Sequence, residues 1–275
     1  MNIEKNGLSE RLQAVADLVS PGKRVCDVGC DHGYVSIYLI ESGKADAVLA
    51  MDVNRGPLER ARINVEKHGL TGYITLRLSN GLDAYRTGEA QSLVIAGMGG
   101  RLMQSILTKD KQKTEDFEEL ILQPQSELAL FRKFLRTEGY VIVQEEMILE
   151  GGKFYPMMKA QKKPAGGSEH AKADAGVNSD PVNAPAGSGQ REETASEEQQ
   201  DDFPDVITQE LADTFGPCLL AQRNPVLYEY IFRQKEDILR LIHAIGQEES
   251  ERCRKRREEL KAELSLLTQA ESLYQ

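Results

Sequence analysis

Apolar residues follow two alternating rhythms over the first 160 positions: short continuous runs, and stretches with a three-and-four-residue step. The runs at 23–28, 47–51, 73–78, 92–96 and 119–123 are rich in β-branched residues and bounded by turn formers, which predicts β-strands. Residues 34–40 carry apolar side chains at helical spacing. So do Leu8, Leu12, Val15 and Val19 before the first run, and Leu128, Phe131, Phe134 and Leu135 within 126–138. Tyr140-Val141-Ile142-Val143 and Phe154-Tyr155-Pro156-Met157-Met158 read as two closing strands around Gly151-Gly152. Fully apolar strands alternating with helices predict an α/β fold, a mostly parallel sheet with right-handed crossovers.

The pattern breaks near Gln161. Residues 161–202 hold no aromatic residue and no Leu, Ile or Met. Such a stretch buries too little apolar surface to offset its ordering entropy, so a disordered acidic insert is expected there. Apolar periodicity returns at about Phe203. Thr214-Phe215-Gly216-Pro217-Cys218-Leu219-Leu220 reads as a turn, and Asn224-Pro225 as a helix start. Leu227, Ile231, Ile238, Leu241, Ile242 and Ile245 recur at helical steps, Gly246 is a break, and Leu260, Leu264, Leu267 and Tyr274 continue in register. Two such helices predict an antiparallel, coiled-coil-like hairpin. The chain thus divides into 1–160, the insert 161–202, and a helical unit 203–275.

Charge changes this picture in two places. The insert holds nine acids against four Lys/Arg, a net of −5, which is half of the chain's −10, so the folded parts are far less acidic than the whole. In the tail, Arg252-Cys253-Arg254-Lys255-Arg256-Arg257 places five cations in six residues. The plain reading is a solvated helix face with partners such as Glu248 and Glu251; the functional one is a phosphate-binding patch. The four cysteines and four histidines form no metal-ligand spacing, so no metal site is expected. With no run of 18 apolar residues and no signal peptide, a cytoplasmic protein without membrane contact is expected.

The chemistry concentrates in Val25-Cys26-Asp27-Val28-Gly29-Cys30-Asp31-His32-Gly33 and in Asp52, 19 residues after Gly33. A strand ends in a glycine turn, a helix follows, and the next strand ends in a carboxylate placed to accept both hydrogen bonds of a ribose diol. A dinucleotide site requires G-x-G-x-x-G, yet Asp31 and Tyr34 occupy the second and third glycine positions. An anionic Asp31 at the helix start repels a pyrophosphate. Asp27 and Asp31 suit a cationic sulfonium bearing an amino group, which favours S-adenosylmethionine over NAD. The plainer alternative is a strand–turn–helix whose glycines only make the turn. Ser79-Asn80-Gly81-Leu82 follows the third strand, either as an ordinary turn or flanking an adenine. Gly97-Met98-Gly99-Gly100-Arg101 follows the fourth, and three glycines in four residues mark close backbone approach.

Five segments stand in order: Leu8-Ser9-Glu10-Arg11-Leu12, Asp27-Val28-Gly29-Cys30-Asp31-His32-Gly33-Tyr34, Ala96-Gly97-Met98-Gly99-Gly100, Leu122-Gln123-Pro124 and Phe215-Gly216-Pro217-Cys218-Leu219-Leu220. Over about residues 3–160 and 205–275 the chain resembles the bacterial tRNA (adenine-22-N1)-methyltransferase family. It departs at Ser36, where the family pattern has a proline, and in its longer insert. The resemblance implies a Rossmann-like class I methyltransferase sheet with a C-terminal α-helical coiled-coil domain, S-adenosyl-L-methionine as cofactor, and tRNA as partner. It further implies methyl transfer to adenosine N1 at position 22. On that basis Asp27, Gly29, Cys30, Asp31, His32 and Gly33 surround the cofactor's methionine part; Asp52 with Val53 takes its ribose; Asn80 and Gly81 flank its adenine. Gly97, Met98, Gly99 and Gly100 floor the target-base pocket. Lys5, Arg11, Arg24 and Arg101 are phosphate contacts near the rim, with Arg254, Lys255, Arg256 and Arg257 as a second contact site. Rival readings are action on another RNA or a small molecule, a NAD(P)-linked oxidoreductase, and a non-catalytic binding protein of the same fold.

Overall fold

The structure, a computed structural model, describes residues 8–163, 207–246 and 250–275. Seven strands form one sheet: β1 (Lys23–Val28), β2 (Ala45–Asp52), β3 (Ile74–Leu78), β4 (Ser92–Met98), β5 (Glu119–Pro124), β6 (Tyr140–Glu150) and β7 (Lys153–Lys162). Their order is β3-β2-β1-β4-β5-β7-β6. The first five are parallel, and β7 runs antiparallel between β5 and β6. The intervening helices are α1 (Glu10–Asp17), α2 (Tyr34–Glu41), α3 (Arg55–Lys67), α4 (Gly100–Lys109), α5 (Lys111–Glu115) and α6 (Leu128–Thr137).

The strand period of two divides the core between the sheet's faces. Val25, Val48, Ala50 and Ile121 join Val15, Ile37 and Val65 under α1, α2 and α3. Cys26, Leu49, Met51, Leu93, Ile95 and Leu122 join Met103, Leu107, Phe131 and Leu135 under α4 and α6. Both faces are covered, as continuous apolar strands require. After β3 the chain crosses to the far side of β1, so the strand order reverses between β1 and β4. That reversal opens a crevice at the strands' carboxyl ends.

The closing hairpin is longer than the pattern predicts. The polar run Gln144-Glu145-Glu146 lies beyond the predicted strand 140–143, and two of its side chains face partners. Glu145 is buried against Arg132 at 2.9 Å, and Glu146 accepts from Asn224 at 2.9 Å. The helices α3 and α4, which the apolar pattern does not single out, carry much polar surface and bury only a few residues each. Most of the expected insert lies outside the described residues; Gln161 and Lys162 still belong to β7.

The tail forms α7 (Gln209–Phe215), α8 (Pro217–Ala221), α9 (Pro225–Ile245) and α10 (Glu251–Ser272). The last two are an antiparallel pair. Tyr274 Oη donates to the Asn224 carbonyl at 3.0 Å, Lys235 pairs with Glu271, and Arg257 donates to the Gly246 carbonyl at 2.7 Å. A third apolar cluster joins Leu227, Ile231, Ile238, Leu260 and Leu267 to Leu211, Phe215, Leu219 and Met147 of β6, so the tail is seated on the sheet's outer strand. Among the described residues, no helix is long and apolar enough to cross a membrane.

Candidate functional site

A cleft of about 510 Å³ lies at the reversal point, walled by the turns after β1, β2, β3 and β4 and by α1. It sits where an open α/β sheet presents its ligand site, and its volume suits a cofactor-sized molecule.

The turn after β1 is built on backbone conformation. Gly29 has φ +79, and the N–H groups of Gly29 and Cys30 both donate to the Met51 carbonyl, at 2.8 and 3.0 Å. A Cβ on Gly29 would lie 2.3 Å from the Met98 methyl, so Met98 of β4 reaches across the turn. Asp31 takes a left-handed conformation (φ +47) without being glycine, and its N–H donates to Asp52 Oδ2 at 3.2 Å. The N–H of Asn54 donates to Asp52 Oδ1 at 2.8 Å. Each oxygen of the buried Asp52 carboxylate therefore holds one backbone donor and keeps further acceptor capacity on a residue that lines the cleft.

Asp27 closes the floor at 4% exposure. Burial pushes its carboxyl up from 3.8 to about 6, against a stabilising Ser36 hydroxyl bond and with help from the charge of Asp52. Ser36 Oγ donates to Asp27 Oδ2 at 2.6 Å. The residue that departs from the family pattern thus fills a local need, giving the buried carboxylate its donor. His32 also borders the cleft; its Nε2 accepts from Arg60 at 3.2 Å and its ring stacks on Tyr34. Ser79 braces the loop after β3. Its hydroxyl donates to the Gly81 carbonyl at 2.7 Å and accepts from Ala84 N–H at 3.0 Å, which leaves Asn80 and Gly81 on the cleft wall beside Val53.

Several expected residues are placed elsewhere. Gly33 starts α2 in a left-handed conformation and packs against Ala61 of α3, where a Cβ would meet the Ala61 methyl at 3.2 Å; it does not line the cleft. Gly97 and Met98 do line it, but Gly99 and Gly100 do not. They admit the loop after β5 instead: a Cβ on Gly100 would sit 2.7 Å from the Ser126 carbonyl oxygen, and one on Gly99 3.1 Å from the Ser126 hydroxyl. The glycine run is half pocket and half packing.

Among the cations, Lys5 lies outside the described residues. Arg24 stands at the amino end of β1, its guanidinium donating to the Gly88 carbonyl at 2.8 Å, on the sheet edge opposite the cleft; it is not a rim residue. Arg11 is inside the cleft rather than on its rim. Nη1 donates to Gln123 Oε1 at 2.9 Å, and the guanidinium lies over the Tyr155 ring at 4.9 Å. Arg101 is at the start of α4, its side chain 83% exposed and paired with Glu127. Arg254, Lys255, Arg256 and Arg257 occupy the first turns of α10, at the far end of the helix pair from the sheet. Arg256 pairs with Glu259 and Glu263, whereas Arg254 and Lys255 are exposed with no ion pair among the described residues. Glu248, a partner expected from spacing, lies outside the described residues.

The cleft also recruits Tyr34 and residues with no sequence signal of their own, including Asn54, Pro57, Leu102, Ile106 and Gln125. Leu102 and Ile106 lie on one face of α4, a spacing that marks them once the helix is placed.

A family model described as a methyltransferase domain matches residues 8–158. The tRNA (adenine(22)-N(1))-methyltransferase of Bacillus subtilis is 38% identical over 154 residues; that alignment takes in 56% of this chain and 65% of the enzyme's length. The crystal structure of the B. subtilis M1A22 tRNA methyltransferase TrmK superposes with a TM-score of 0.74 at 28% identity, covering 97% of this chain and 100% of that one. Sp1610 of Streptococcus pneumoniae, solved in complex with S-adenosyl-L-methionine, superposes with a TM-score of 0.71 at 28% identity, over 96% of this chain and 99% of that one.

Proposed function

The chain belongs to the methyltransferase-domain family, and from that premise we propose that it transfers a methyl group from S-adenosyl-L-methionine to N1 of adenosine 22 in tRNA. The observation that carries this reading is a single cleft that joins three carboxylates, Asp27, Asp31 and Asp52, to a glycine-backed niche at Gly97. The donor set fits the cofactor. Three acids in one wall disfavour a pyrophosphate and favour a cationic ligand, while Asp52 has the free lone pairs a ribose diol needs. The relation to the B. subtilis enzyme supplies the base, the atom and the position.

The bound cofactor would supply an electrophilic methyl group. The chain's own task is then alignment. Adenine N1 carries a free lone pair at neutral pH, so no group has to abstract a proton to create the nucleophile, and proximity is the main source of rate. Asp27 and Asp31 hold the amino-acid end, Asp52 holds the ribose, and Asn80 and Gly81 border the adenine of the cofactor. Met98 reaches over Gly29, and beside it Gly97, without a Cβ, leaves space for the target base. The negative wall favours a reaction whose purine product carries a positive charge. The target base in folded tRNA must leave its stack to enter. Arg101 at the start of α4 and Arg254 and Lys255 at the helical tip are exposed cations that would hold phosphates around it.

The test is incubation of the full chain with unmodified tRNA and labelled methyl donor, then mass spectrometry of the nucleosides and mapping of the labelled position. Labelled 1-methyladenosine at position 22 is expected. Label in another nucleoside, or none in tRNA, overturns the reading in favour of another substrate or a non-catalytic role.

A further inference from the structure

We propose that Gln125 is the residue that selects adenine, reading the target base by its N6/N7 edge; the proposal rests on the function proposed above. The argument begins at Gly97. With φ +78 and no Cβ, it leaves a gap at the end of β4 whose two nearest side-chain atoms are Arg11 Nη1 and Gln125 Nε2, each 3.8 Å from where a Cβ would be. These two groups wall the niche and differ in what they can offer. Arg11 Nη1 is engaged: Gln123 Oε1 accepts from it and from the Gly97 N–H, at 2.9 and 3.1 Å, and the guanidinium lies over the Tyr155 ring.

Gln125 is held by its backbone alone. Its N–H donates to the Met98 carbonyl at 2.9 Å, which fixes residue 125 beside the end of β4. Its side-chain amide is exposed, borders the cleft, and makes no hydrogen bond among the described residues. A neutral amide suits a neutral base better than a phosphate, and the guanidinium beside it has its Nη1 turned to Gln123.

The chemistry of the reaction then selects the edge. Methylation at N1 requires N1 to face the cofactor's methyl group, so the enzyme must recognise adenine elsewhere. The N6 amino group and N7 present a donor beside an acceptor on the remaining edge. A glutamine amide matches that pair bidentately, Oε1 accepting from N6–H and Nε2–H donating to N7. Guanine presents two acceptors there, O6 and N7, and one amide oxygen always opposes an acceptor.

The test uses tRNA carrying either adenine or 7-deazaadenine at the target position, with wild type, Gln125→Ala and Gln125→Glu compared by kcat/KM. Replacing N7 with a C–H removes one partner and nothing else on that edge. For wild type, 7-deazaadenine is expected to lower kcat/KM by about tenfold relative to its effect on Gln125→Ala, the ratio cancelling the altered basicity of N1. Gln125→Glu places an acceptor against N7, so the 7-deaza substrate is expected to be the better one for that variant. A purely structural role for Gln125 predicts no such inversion. If wild type methylates the adenine substrate but the 7-deaza effect is the same in all three proteins, the selection by Gln125 is overturned and the tRNA reading stands. If wild type methylates neither substrate, both fall.

Discussion

Asp27 gives the cleft a pH dependence whose sign can be worked out in advance. Its carboxyl is 4% exposed, and burial brings its pKa to about 6. At pH 7 roughly nine in ten molecules carry the anion; at pH 5 roughly one in eleven do, by simple titration around that value. A cation bound against Asp27 needs the anion, so the association constant for S-adenosylmethionine is expected to fall about tenfold from pH 7 to pH 5, or about 1.4 kcal/mol. Stability without cofactor runs the other way. The folded-state pKa lies above the unfolded one, so what this group contributes to stability is fully present below about pH 4 and is lost as pH rises through about 6. At pH 7 the buried anion therefore costs about 3 kcal/mol relative to its neutral form. Asp27→Asn keeps the Ser36 contact geometry and removes the titration. Titration calorimetry from pH 5 to pH 7 is expected to show a falling affinity on acidification for wild type and a weak, flat one for the variant. Thermal melts at pH 7 without cofactor are expected to show the variant as the more stable protein. A wild-type affinity independent of pH, or a variant that tracks wild type, refutes the placement of a cation at Asp27.

Three further outcomes are expected. Asp52→Ala removes the ribose acceptor and the anchor of the Asp31 and Asn54 N–H groups, and is expected to reduce cofactor affinity at least 30-fold, or roughly 2 kcal/mol, by calorimetry; an unchanged affinity rejects the ribose role. Gly216→Ala forces a side chain into φ +99 with its Cβ 2.5 Å from Glu145 Oε2, and is expected to cost about 2–4 kcal/mol in denaturant titration; a cost below about 1 kcal/mol would show that the buried carboxylate yields. The pair Arg254→Glu and Lys255→Glu is expected to weaken tRNA binding and lower the slope of log affinity against log salt by about 2, with cofactor affinity unchanged; an unaltered slope removes the helical tip from the phosphate-binding surface.

How far the molecule was legible in its residues depended on which physical signal each part carries. Buried parallel strands announce themselves, because apolar runs such as Leu93-Val94-Ile95 have no other stable place. The turn after β1 was legible for the same kind of reason: the Asp27 to Asp52 spacing is a strand–helix–strand distance with acids at both ends. Glycine was legible only as permission. Gly97 and Gly100 look alike in the chain, yet one faces the cleft and the other the Ser126 carbonyl, and nothing in a glycine says what will approach it. Arg24 failed for a directional reason. It precedes Asp27 by three residues in an extended strand, which carries it about 10 Å toward the opposite edge of the sheet. Gln125 carries no signal in the chain, because a polar residue after Gln-Pro looks like any turn; its unpaired amide becomes visible only against Gly97.

The segment Phe215-Gly216-Pro217-Cys218 shows how a motif without chemistry of its own can serve a distant site. Arg132 of α6 donates through Nε to Glu145 at 2.9 Å and through Nη1 to the carbonyls of Asp213 and Thr214 at 3.1 and 3.0 Å. The N–H of Cys218 donates to Glu145 Oε2 at 3.0 Å, and Gly216 has no Cβ because that carboxylate occupies the space. Burial raises the Glu145 pKa even with Arg132 opposing it, so the pair is a weak source of stability. What it does is direction. With these bonds spanning β6, α6 and α7, the chain leaves α8 at one angle, and Asn224, bonded to Glu146 and capping α9, continues it. The helix that follows has 21 residues and extends about 31 Å. Over that length a tilt of a tenth of a radian at the base moves the basic tip by about 3 Å, which is a whole hydrogen-bond distance. A cationic tip that meets phosphates while a base enters the cleft, as proposed above, would need a stiff base more than a strong one. The buried Arg132–Glu145 pair, with its directional bonds, adds that orientation to the apolar cluster that seats the tail on β6.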